Sequence, residues 1–128
     1  MEIIHSSDVI HKEKPNGTRV GYYLQKEYEI HYNEIPPKTS QEWHSHKHVE
    51  EIILILDGQL NVRWVENNVK KEQVVNKGDL VRVENSLHTF VNTSTKEALF
   101  VVFKTILSGK DNSKIFKDDK ISVSEMNE

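Results

Sequence analysis

Apolar and polar residues trade places with a period of two through most of this chain, and turn signals return roughly every 8 to 12 residues. No long window holds a helical period outside the last twenty residues, so the alternation predicts an all-β fold, a sandwich or small barrel. The stretch "EYEIHYN" (27–33) reads as a half-buried strand with Tyr28, Ile30 and Tyr32 on the buried face and Glu29 and His31 opposite. "PPK" ends it, because proline cannot donate to a ladder. "EIILIL" (51–56) is apolar on both faces and predicts a central strand covered from both directions. Asp57-Gly58 is a turn signal that predicts a hairpin into "QLNVRWV", with Leu60, Val62 and Trp64 on one face. "ENN" (66–68) and "NKGD" (76–79) mark further turns, and "EALFVVFKTI" supplies a last buried strand.

A chain of 128 residues with 36% hydrophobic content suits one core. Residues 28–107 are expected to form it, with 1–27 joining as a β arm and 108–128 as a polar tail. In that tail Ile115 and Phe116 either cover the domain or face solvent. Seventeen Lys and Arg are scattered among 20 Asp and Glu, for a net charge of −3, which gives no drive toward a phosphate backbone. Nucleic acid is therefore not an expected partner, and no helix-turn-helix pattern is present. Without cysteine there is no disulfide, thiolate zinc site or thiol nucleophile, which fits a reducing compartment. No segment approaches the ~18 apolar residues of a membrane span. The expected setting is the cytoplasm.

Chemistry concentrates in "EWHSHKHVEE". His44 and His46 are two apart, so on an extended chain both rings reach toward one point. Glu51 lies at an odd offset and joins them only if the chain turns near "KHV". Two imidazoles and a carboxylate with open positions suit a divalent first-row metal such as Fe2+, Mn2+, Ni2+ or Zn2+. His88, in "SLHTFVN", is the candidate for a fourth ligand. Left without metal, Glu51 would be an unpaired carboxylate at the start of an apolar strand, which is costly. His5, His11 and His31 have no partner at ligand spacing, and His48 and Glu50 are expected in an exposed loop.

These residues resemble a known family. "HSHKHVEEIILILDG" is similar to the first motif of the cupins in His44, His46, Glu51 and Gly58, and the second motif is matched by Gly78, Asp79, His88 and Asn92. The resemblance runs from about residue 28 to 104 and is to a small single-domain cupin of the RmlC-like superfamily, cupin 2 type. It implies a double-stranded β-helix (a jelly-roll barrel), a metal held by three His and one Glu, and a homodimer. The chain departs from the family at Glu84 and Ser86, where proline and glycine are usual, in an interval one residue short before His88, and at Lys38, where glycine is frequent. These departures touch turn geometry rather than ligand chemistry.

Phe90 shares the parity of His88 and is a candidate for the cavity wall. Arg63, Arg82, Tyr28 and Tyr32 are candidates for orienting an acidic or hydroxylated substrate. Trp43, of opposite parity to the two histidines, is expected to face away, toward neighbours or a dimer partner. The expected function is a metal-dependent enzyme acting on a small organic molecule, of oxygenase or isomerase type. The alternatives are a non-catalytic small-molecule binding or sensing cupin and a metal-free storage or interaction barrel.

Overall fold

A computed structural model describes residues 1–123, so the end of the 108–128 tail lies outside the described residues. Ten strands form two antiparallel sheets: β1 (Ile10–Glu13), β2 (Arg19–Leu24), β3 (Tyr28–Ile35), β4 (Thr39–Ser40), β5 (Glu50–Asp57), β6 (Gln59–Glu66), β7 (Val69–Asn76), β8 (Leu80–Arg82), β9 (Leu87–Asn92) and β10 (Ala98–Thr105). One sheet has the order β1-β2-β3-β10-β5-β8, the other β4-β9-β6-β7. The fold is all-β, a jelly roll of two antiparallel sheets. Inward side chains of both sheets meet in one core that includes Ile35, Ile53, Ile55, Leu60, Phe90 and Phe100. Each such side chain contributes about 1.5–3 kcal/mol by leaving water.

The expected β5–β6 hairpin does not form. β5 pairs with β10 and β8, whereas β6 pairs with β7 and β9, so Asp57-Gly58 carries the chain from one sheet to the other. Gly58 has φ +77, and a Cβ there would meet the Glu97 carbonyl oxygen at 2.7 Å. Only glycine suits both constraints. A register shift opposite Leu99 and Phe100 bends the strand just before this crossing. The β6–β7 connection is a hairpin in which Asn67 and Asn68 both adopt positive φ, as the twist of the flanking strands favours.

The expected facing of β3 is reversed. Asn33 and Ile35 are buried and His31 shares their side, while Tyr28, Ile30 and Tyr32 face outward. The register explains this: His31 lies opposite Val102, itself opposite core residue Ile53, so inward parity is fixed by the neighbouring strands rather than by hydropathy. β5 is likewise covered on one side only. Its outer Leu54 is 38% exposed beside Phe103 at 37%. α1 (Ser113–Asp118) has no buried residue, and both Ile115 and Phe116 face solvent.

Candidate metal centre

His44 and His88 are bridge partners: each backbone N–H donates to the other's carbonyl at 3.0 Å. Residues opposed in this way put their side chains on the same face, which accounts for a ring separation of 4.4 Å. His46 follows two residues later on the same side, its ring 5.1 Å from that of His44. Glu51 is the second residue of β5 and points inward between Lys104 of β10 and the histidines. One donor atom from each of His44, His46, Glu51 and His88 lies within 4.8 Å of all the others. The same carboxylate oxygen, Oε1, is 3.4 Å from His44 Nε2 and 3.3 Å from His88 Nε2, and closer still to His46 Nε2. Donors about 2.1 Å from a common ion stand about 3 Å apart in adjacent positions, so the spacing fits a coordination sphere.

The tautomers sharpen this. His88 Nδ1 donates to the Ser86 carbonyl at 2.8 Å and His44 Nδ1 to the Glu42 carbonyl at 3.1 Å. A carbonyl only accepts, so each Nδ1 carries a proton and each neutral ring turns its Nε2 lone pair toward Glu51. His88 Nε2 is buried without a hydrogen-bond partner. Lone pairs converging on a carboxylate oxygen repel unless a cation or protons lie among them. The hydrogen bond to Glu51 raises the His44 pKa from its ordinary value, against the effect of burial. Burial alone would raise the Glu51 carboxyl, but the adjacent imidazoles of His44 and His88 and the charges of His46 and Lys104 hold it far below the usual carboxylate range. The donor set fits a divalent ion of borderline character.

Two openings reach the cluster. His88 and Phe90 line a cavity of about 650 Å³ with Val62, Trp64, Val75 and Arg82. Phe90 lies 5.3 Å from His88, ring to ring. On the other side, His44 and His46 line a cleft of about 750 Å³ with Lys104, Gln41 and Lys14. Arg82 stands at the rim of the first cavity, 3.7 Å from Glu50. Arg63 and Tyr32 border neither opening. Arg63 alternates with inward Val62 and Trp64 and pairs with Glu72 at 3.2 Å on the outer face, and Tyr32 lies on the outer face of β3. Tyr28 stacks on Phe103, also outside. Trp43 is exposed beside Lys70.

Three residues near the site escaped the sequence reading. Glu50 is buried rather than in an exposed loop, and its carboxylate accepts the Glu84 N–H at 3.0 Å. His31 faces inward, hydrogen-bonded to Glu29 at 2.9 Å and edge-on to Tyr22; burial lowers its pKa. Lys104 continues the inward parity of Phe100 and Val102, which was the signal that could have found it.

No curated protein sequence matches the chain. Solved structures match it in fold. They include CENP-C of Drosophila melanogaster bound to CAL1 (TM-score 0.71, 16% identity, 80% of this chain and 85% of that one). A predicted oxalate decarboxylase of Thermotoga maritima matches with TM-score 0.71 and 20% identity over 83% and 100% of the two chains. FeII HppE matches with TM-score 0.68 and 14% identity over 81% of this chain and 60% of its own. The family model described as "Cupin domain" matches residues 31–104, from within β3 to the end of the His31–Lys104 frame that carries all four clustered side chains. With more than half of the chain under that match and a jelly roll to accompany it, the protein belongs to the cupin domain family.

Proposed function

We propose that this cupin holds a divalent transition metal with His44, His46, Glu51 and His88 and acts on a small organic molecule as a metal-dependent enzyme of oxygenase or isomerase type. The observation that carries the metal half is the buried, unpartnered Nε2 of His88, aimed with the His44 lone pair at the Glu51 oxygen. An ion there supplies Lewis acidity, and four protein ligands leave two positions of an octahedral set for exogenous groups. The cavity beside His88 supports the enzymatic half: its wall includes the apolar Phe90 and Val62, with Arg82 at the rim. FeII HppE lends the metal-dependent reading a precedent in fold, and the predicted oxalate decarboxylase lends one to the enzymatic reading. We take residues 28–107 as the barrel, with 1–27 joining it as a β arm and 108–128 as a polar tail.

The test is metal analysis of protein purified without a histidine tag, followed by oxygen uptake and product analysis with phenolic, thiol and keto-acid panels. His46→Ala is expected to empty the site and abolish turnover while the fold remains. Full metal content in that variant contradicts the ligand assignment. Metal without turnover of any compound favours the second reading, a binding or sensing cupin. The CENP-C structure bound to CAL1 is a precedent in fold for a binding module, and the larger sheet has a separate exposed apolar face. On that face Ile30, Phe103 and Ile52 lie abreast, as do Tyr32, Val101 and Leu54, and we assign the strip to a homodimer contact.

A further inference from the structure

Lys104 reaches the cleft lined by His44 and His46 from the strand next to Glu51, and Lys14 lines the same cleft from the N-terminal side. Directly opposite Lys104 in the sheet stand two carboxylates, Glu51 on β5 and Glu29 on β3. Both are engaged elsewhere: Glu29 with His31 at 2.9 Å, Glu51 with the three clustered histidines. Among the described residues Lys104 makes no ion pair and no side-chain hydrogen bond. Its charge nonetheless acts on His31, His44 and Glu51. A dication held by three neutral imidazoles and one carboxylate keeps a net positive charge, and the half-buried Lys104 adds another beside it. Two like charges in a partly desolvated cleft are costly unless an anion joins them. A second donor is already in place. Gln41 lines the same cleft, its backbone fixed by bonds to Phe90 and Thr89, and its Nε2 is buried without a partner.

We propose that the cleft on the His44 and His46 side is the subsite for a small organic acid, whose carboxylate is bound by Lys104 and Gln41 while another part of the molecule reaches the metal. This rests on the metal reading above and adds the substrate class. One ammonium and one amide can serve the two oxygens of a carboxylate. Lys104 orients the acid and takes no part in holding the metal, which separates it from the cluster experimentally.

The test uses the full chain loaded with Co2+ and malonate as the probe, followed by calorimetry and by the visible spectrum of the cobalt, with uncharged malonamide as control. Malonate is expected to bind and perturb the spectrum, malonamide not to. Lys104→Met is expected to weaken malonate by roughly tenfold or more at unchanged cobalt content, since a charge-assisted bond is lost, and Lys104→Arg to stay close to wild type. Malonate binding equal to malonamide, or unchanged in Lys104→Met, overturns the subsite alone. A wild-type chain that takes up no cobalt overturns the metal reading and the subsite with it. If Lys104→Met fails to fold, Gln41→Leu carries the same comparison, and undiminished malonate binding there overturns the two-donor assignment.

Discussion

His88 is held from three directions: its backbone by the bridge to His44, its Nδ1 by the Ser86 carbonyl, its ring by Phe90. That restraint fixes which nitrogen faces Glu51 before any ion arrives, so little is lost in ordering the ligand. His88→Ala is expected to lower metal affinity by more than about 100-fold, beyond what loss of an orienting partner costs, as read by competition with a chelator. The pH dependence follows from the two shifted groups. His44 has a raised pKa, so the stability from its bond to Glu51 is complete below 6.5 and lost as pH rises through the folded value. Glu51 is depressed, so its share is present above the ordinary 4.5 and lost as pH falls. Metal-free protein should therefore weaken on the alkaline side, where lone pairs are left facing the carboxylate, while an ion replaces the missing proton. The gain in Tm on adding Zn2+ is expected to widen between about pH 6 and about pH 8. A gain that shrinks over that range contradicts the proton-for-metal exchange.

The elements show why part of this was legible in the sequence and part was not. Alternation located β3 and β6, because a strand half in the core must repeat with period two, and short apolar runs located β5 and β10. Alternation is silent on which sheet a strand joins, so Asp57-Gly58 read as a hairpin although it is a crossing. Hydropathy is also misleading at polar inward positions: His31 faces inward, as its register with Val102 reveals, and Lys104 does so by the parity of Phe100 and Val102. His44, His46 and Glu51 were legible because spacing carries geometry. The match of His88 to a motif did not by itself show a bridge to His44. Glycines separate turn types. Gly58→Ala should cost about 2–4 kcal/mol in urea unfolding, from positive φ and the clash with Glu97. Gly78→Ala, at φ +89 with nothing within 4 Å, should cost about 1 kcal/mol. Equal losses would contradict the close approach at Gly58. The turn before His88 lacks proline and glycine yet holds Glu84 and Asn85 at positive φ, pinned by the Glu50 carboxylate and by Ser86, which bonds Val83. Glu50→Ala should therefore lower stability by about 1–3 kcal/mol by leaving the Glu84 N–H unsatisfied.

At the scale of the molecule, two sheets face each other with the cluster between them, and their edges differ in protection. β7 is a solvent-facing edge strand carrying Lys70 and Lys71, charges that discourage strand addition. The outer face of β3, β10 and β5 carries no such charges along its two apolar rows, and nothing among the described residues covers it. On the proposed homodimer contact, Leu54→Lys is expected to shift the protein from dimer to monomer in light scattering without changing metal content. A dimer undisturbed by it contradicts the assigned face. Among the described residues no helix is long and apolar enough to cross a membrane. The whole reading turns on one point in space, and anomalous diffraction from a zinc-soaked crystal addresses it directly. The expected result is a single strong peak within about 2.0–2.2 Å of Nε2 of His44, His46 and His88 and of a Glu51 oxygen. A crystal with no peak there, or with zinc bound away from two or more of these four groups, contradicts it.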